Sequence, residues 1–415
     1  MLLIRSHLLV ALCLVTTQAF ANLSKAVDWD ESVTNNANLS LQMGIDAWKL
    51  MPSVATDSNP TLNRRANTFL FLPNAYSKWT YHSVSPWVVI SGDSKFSQNT
   101  QLNFKYLADQ SVGARLDELN LDWSISPLLG IRAGLVNYKT TWCRTYETDS
   151  PWMREPDFFC STSTRKDLRG GAPGIQSYVN LEHDDFRYQA LTGAYWPKAF
   201  NYAPREFSNW DPTPNYYVTS NHKAGISFNA IQMSTGNEIR LSWIHTQQSA
   251  YSPEPQVLGV TKQKTDLYYT ATNYFITEKL SLRGTYSLFK MGNTCVSSIG
   301  EHFECLDQIN DHRTVKTIEL LYQATPTDTF AFAKTKYNIQ STLTGYPTET
   351  SDFGTYNNFF AQTHRQSAMA WRRDWNNAVF TTLQYSYVKQ TMGYYGEAPL
   401  PSSGKAAGLR VGYRY

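Results

Sequence analysis

After residue 21 the chain contains no run of about 18 apolar residues, the length a membrane-crossing helix needs, so a helical membrane bundle is excluded. Charge is also scarce: Asp, Glu, Lys and Arg make up 17% of the 415 residues, against about 25% in ordinary globular proteins. Disordered chains are charge-rich and aromatic-poor. Here aromatics reach 14%, which excludes extended disorder. A formal net charge of +3 lacks the clustered basic excess of a nucleic-acid binder, so no nucleic-acid partner is expected. No C-x2-C pair, G-x-S-x-G, H-E-x-x-H, Walker or dinucleotide motif is present, and the histidines are scattered. No cofactor and no metal are therefore expected, and the chain does not read as an enzyme. What the sequence does have is Ser, Thr, Asn, Gln, Gly and Tyr, which bring the mean hydropathy to -0.42 despite the aromatics. That mixture suits a surface that is wet on one side and apolar on the other.

The first residues carry Arg5, an apolar run over 8–15 and a small-x-small pattern at Ala19-Phe20-Ala21. These are the marks of a signal peptide over 1–21, and the run is too short for a span. The expected organisation is a signal peptide over 1–21, a short periplasmic segment over 22–37 and a barrel over 38–415. Beyond the leader stand Cys143, Cys160, Cys295 and Cys305. An even count in an exported chain points to disulfides, and short loops favour Cys143 with Cys160 and Cys295 with Cys305. Closing the first loop is worth about 3 kcal/mol on the chain-entropy model. Free thiols are the alternative.

From Asn38 onward the sequence alternates with period two, the mark of strands with one apolar and one polar face. Leu39, Leu41, Met43, Ile45 and Ala47 alternate with Ser40, Gln42, Gly44 and Asp46, and Leu409, Val411, Tyr413 and Tyr415 close the chain in the same way. Between these ends the pattern predicts strands over 87–94, 100–107, 118–125, 129–136, 175–182, 186–196, 223–231 and 239–246. Further strands follow over 266–275, 280–290, 317–323, 329–337, 368–373 and 379–388, about sixteen in all. The connections alternate in length. Short ones such as 126–128 and 183–185 face long ones such as 49–86, 137–174 and 338–367. Short turns at one end and long loops at the other describe an all-β fold, a transmembrane antiparallel β-barrel of the bacterial outer membrane.

Two segments resemble a known family. Leu409, Val411, Tyr413 and Tyr415 look like the terminal aromatic signature by which outer-membrane barrels are recognised for assembly. The hairpin from Leu116 to Trp123 and Leu129 to Val136 resembles one found in sixteen-stranded porins, including the phosphate-selective group. That resemblance implies a water-filled channel for passive diffusion of small hydrophilic solutes. It also implies a homotrimer and, as partners, the lipid bilayer and lipopolysaccharide. The loop lacks the dense Lys/Arg ladder expected for phosphate.

If apolar positions face lipid, the opposite positions line the lumen. The basic ones are Lys105, Arg132, Arg187, Lys223, Arg240, Arg283, Arg410 and Arg414. The acidic ones are Asp46, Glu118, Asp122, Glu182, Asp266 and Glu319. Together they give a wet bore with a slight positive bias. Lys334 and Lys336 share parity with Phe330 and Phe332 and stay unassigned, a membrane boundary being the alternative to the lumen. The loop 137–174 is the third outward connection, where porins commonly fold a loop inward. It carries Arg144, Arg154, Glu155 and Asp157, opposed charges that would set a transverse field across a constriction. Tyr138, Trp142, Trp152, Phe158 and Phe159 would seat that loop against the wall or offer a stacking surface for sugars. Trp123, Tyr385, Tyr387, Tyr413 and Tyr415 read as interfacial girdles. An adhesion or structural barrel and a barrel hydrolase are the alternatives to a channel.

Overall fold

A computed structural model describes residues 37–53, 82–109, 113–136, 150–153, 172–196, 217–251, 260–295, 307–345, 355–394 and 400–415. Sixteen strands run in chain order. The first eight are β1 (Ala37–Ser53), β2 (His82–Ser97), β3 (Thr100–Asp109), β4 (Gly113–Ser124), β5 (Leu129–Val136), β6 (Ala172–His183), β7 (Phe186–Tyr195) and β8 (Tyr217–Gln232). The second eight are β9 (Glu238–Tyr251), β10 (Val260–Thr277), β11 (Leu280–Cys295), β12 (Asp307–Gln323), β13 (Asp328–Gly345), β14 (Thr355–Asp374), β15 (Val379–Tyr394) and β16 (Leu400–Arg414). Each strand pairs antiparallel with its sequence neighbours, and β16 returns to β1, so the sheet closes on itself. Tyr415 completes the closure, exchanging backbone hydrogen bonds with Leu41. Closure removes every edge, the condition for a sheet to sit in lipid without unpaired backbone groups.

The alternation is expressed inside out relative to a soluble protein. On β4, Leu119, Leu121 and Trp123 are exposed while Asn120 between them is buried. Ile45, Ile226, Leu241, Phe332, Leu383 and Val411 are likewise exposed on the outer face. The inner face carries buried polar groups such as Gln42, Gln176, Thr317 and Gln384. Trp123, Tyr413 and Tyr415 are exposed.

Short turns are built from local chemistry. The Ser126 hydroxyl accepts from the backbone N–H groups of Leu128 and Leu129 and folds the β4–β5 hairpin back. Asp185, in the β6–β7 turn, accepts from the backbone N–H and hydroxyl of Ser234 and from the Gln232 amide, tying that turn to the β8–β9 turn.

All sixteen expected strands are present, but many are longer than the alternation indicated. β14 has 20 residues rather than the six of 368–373, and β12 begins at Asp307 rather than 317. Outside the lipid both faces meet water, so a strand continues without any reason to alternate, and periodicity reads only the membrane-embedded part. The wall is uneven: β3, β4 and β5 have 10, 12 and 8 residues, whereas β12 to β14 have 17 to 20.

Candidate functional site

The lumen is built by register. Lys105 stands opposite Glu118, Asp122 opposite Arg132, Glu182 opposite Arg187, Arg283 opposite Glu319, and Asp46 opposite Arg410. Thirteen of the fourteen expected lumen residues stand on the inward register. Most join cross-strand ion pairs. Arg132 meets Asp122 at 2.6 Å and stacks on Tyr178, whose hydroxyl donates to the same carboxylate at 2.7 Å. Arg187 meets Glu182 at 2.7 Å, and Arg240 meets Glu238 at 3.0 Å along one strand. Arg410 grips Asp46 through Nε and a terminal nitrogen, both at 2.7 Å, and lies over the Trp87 ring. Arg414 reaches Asp374 at 3.6 Å.

Asp266 does not belong to this set. It pairs in register with His245 and Lys290 and accepts from the Trp243 indole at 3.1 Å, on the face that carries exposed Leu241 and Tyr268. The expectation followed the polar character of the residue. On β10, however, exposed Tyr268 and Tyr274 share its parity, whereas Leu267, Tyr269 and Ala271 are buried in the bore. An apolar inner face on this strand inverted the rule.

Residues 150–153 define the site. They belong to the connection that leaves β5 and returns at β6, yet they touch β12 to β16 and β1, half-way round the barrel. Trp152 is completely buried against Ala331, Ala333, Ala368 and Ala370, and its indole N–H donates to Glu319 at 2.8 Å. Glu319 also faces Arg283 at 3.5 Å, so one carboxylate ties the loop to the wall. Met153 packs on Trp48 and Ala406, and its backbone N–H donates to the Gln384 side chain at 3.0 Å. The carbonyl of Ser150 accepts from Arg372, and that of Met153 from Arg410. Arg372 is itself buried, stacked on Phe380 and held by Asp374 at the short-turn end of β14. The loop is therefore anchored deep in the bore by two arginines, a glutamine and a glutamate, with apolar side chains filling recesses between them.

The recesses come from small residues. Four alanines on inward parity of β13 and β14 leave space for the indole. At Gly408 on β16 a Cβ would overlap the Trp48 ring and press on Met153. Arg372 and Gln384 were not singled out by sequence reasoning, although both fall on inward parity and parity was the signal that could have found them. Arg144, Arg154, Glu155, Asp157, Cys143, Cys160 and Cys305 lie outside the described residues. Cys295 ends β11, and its side chain is likewise outside them.

No family model and no curated protein matches the sequence. Solved structures do match over nearly the whole barrel. The trimer form of OmpT, an outer membrane protein of Vibrio cholerae, aligns with a TM-score of 0.54 at 8% identity, over 91% of this chain and 99% of that one. The fold is that of the sixteen-stranded outer-membrane barrels. The outer membrane channel DcaP of Acinetobacter baumannii aligns at 0.53 and 9% identity, over 91% and 97% of the two chains. OprB of Pseudomonas putida aligns at 0.52 and 8%, over 92% and 94%. At these identities the likeness is one of fold, and the bore has to be read from its own residues.

Proposed function

We propose that the protein is an outer-membrane porin: a water-filled channel through which small hydrophilic solutes diffuse passively, narrowed by the loop 137–174. The observation that carries this reading is the docking of residues 150–153 on the wall opposite the strands they leave from. A sixteen-stranded barrel is wide enough to hold an aqueous channel. A loop anchored on one side of the bore reduces its cross-section and leaves the Lys105, Glu118, Arg132, Lys223 and Arg240 wall to water. A hydrolase reading has no catalytic constellation behind it among the described residues, and an adhesion barrel has no need of a loop fixed inside.

Selectivity follows from which charges are spare. Asp46, Asp122, Glu182, Glu238 and Glu319 each meet an arginine, and Asp374 is shared by Arg372 and Arg414. In these pairs arginines match or outnumber the carboxylates, which favours anions mildly. Arg154, which follows the docked Met153, and Arg144, with Glu155 and Asp157 opposed to them, supply the field at the aperture in this reading. Disulfides from Cys143 to Cys160 and from Cys295 to Cys305 would stiffen the loops, and a homotrimer is the assembly we carry over from the barrel likeness. In planar bilayers under a salt gradient, the reversal potential should have the sign of anion preference, and Arg154→Ala should move it toward zero. A cation-selective wild type, or a potential indifferent to Arg154, contradicts the selectivity reading.

A further inference from the structure

The outer face of β12 to β15 carries a row of cations where lipid should be. Lys316 stands directly opposite Lys336, Lys336 opposite Arg365, and Arg365 opposite Lys389, so four positive side chains run across four adjacent strands. Lys334 lies one outward step below, between Ile318 and Ser367. All five are exposed, and they line one open depression with Tyr387. The ammonium of Lys316 sits over Tyr286 at 5.4 Å and that of Lys389 over Tyr387 at 5.8 Å, which holds both on the outer surface. Like charges directly opposite one another destabilise a sheet. Four in line therefore call for a counter-charge, and among the described residues no carboxylate pairs with any of them.

Depth narrows the source of that charge. Lys336 is six residues along β13 from Phe330, and Lys316 six along β12 from Tyr322. Phe330, Tyr322 and Trp371 form the aromatic row just above the short turns. Six residues span about 20 Å along a strand, or about 15 Å of membrane normal at the usual tilt, in an apolar band about 25 Å tall. An extended lysine or arginine reaches roughly 6 Å further toward water. The charged ends therefore lie near the upper rim of the outer leaflet. The described residues of a second copy of the chain offer nothing to match them. Among the described residues, the one outward carboxylate away from the short turns is Asp266, already engaged by His245 and Trp243. The row is about 14 Å long, three strand spacings, which suits a headgroup bearing more than one phosphate.

We propose that Lys316, Lys336, Arg365 and Lys389, with Lys334 below them, form a binding site for the phosphorylated headgroup of an outer-leaflet glycolipid. The acyl chains lie on Phe332, Met369 and Tyr385 beneath. This is the same lipid class that the barrel fold brings as surroundings, here given a specific seat.

The full-length folded protein in detergent is titrated with a lipid A carrying two phosphates and with the same lipid stripped of them, with retained lipid counted by native mass spectrometry. Wild type should hold the phosphorylated form at least tenfold more tightly, since each cation near a lipid surface contributes a factor of about five and several act together here. The variant Lys336→Gln/Arg365→Gln/Lys389→Gln should lose that preference, and Lys336→Arg/Lys389→Arg should keep it. Heat-modifiable mobility checks that each barrel is closed, and Arg365→Gln alone substitutes if the triple variant does not fold. Equal retention by wild type and the glutamine variants, no preference between the two lipids, or full displacement by equimolar inorganic phosphate would each overturn the proposal.

Discussion

Trp152 is a large side chain with no solvent exposure on a loop inside a bore. Burial of the indole, its hydrogen bond to Glu319 and the alanine recess act together, and truncating such a residue costs about 3–5 kcal/mol in a packed setting. Because the barrel closes through its backbone ladder, that cost falls on the docked state of the loop. Trp152→Ala is therefore expected to leave the barrel's unfolding midpoint nearly unchanged while releasing residues 150–153 from the wall. Trp152 was legible as one of five loop aromatics able to seat the loop. Its partner was not, because nothing in a single sequence states that residue 152 meets residue 319. At the rim, hydrogen bonds from the Ser234 hydroxyl and the Gln232 amide hold the Asp185 carboxyl below the ordinary value. A depressed carboxyl stabilises the folded state above the unfolded value near 4 and loses that contribution as pH falls through its folded value. Asp185→Asn should accordingly lower resistance to urea at pH 7, and the difference from wild type should vanish in strong acid. A difference that persists there would show that charge is not the cause.

At the scale of the strand, period-two alternation located every element because lipid on one side and water on the other enforce it residue by residue. The same rule misplaced Asp266, since β10 turns apolar residues inward at Leu267, Tyr269 and Ala271. It also stopped short on β12 and β14, where the strand leaves the membrane. Lys334 and Lys336 share parity with Phe330 and Phe332, which leaves them unassigned between lumen and boundary, and the register puts both on the outer face. β16 has a demand of its own, because Gly408 must stay small for Trp48 and Met153 to occupy their places. Gly408→Leu should displace both side chains and undock the loop from a second side. The check is that it raises single-channel conductance as Trp152→Ala does, with the two changes combining less than additively. A Gly408→Leu protein with wild-type conductance would remove Met153 from the anchor.

For the whole molecule, length and composition now have one cause. A closed sheet of sixteen strands shows lipid one face and water the other, so few charges, many aromatics and a negative mean hydropathy coexist. The asymmetry of connection lengths gave the orientation. Residues 150–153 dock on the far wall, and no composition or period could have shown where they land. The central claim is that the barrel conducts and that the docked loop limits it. The direct measurement is single-channel conductance in planar bilayers for wild type and Trp152→Ala, at one salt concentration. The account predicts stepwise openings for wild type and larger, noisier steps for the variant. A silent wild-type bilayer, or identical steps for the two proteins, would contradict it.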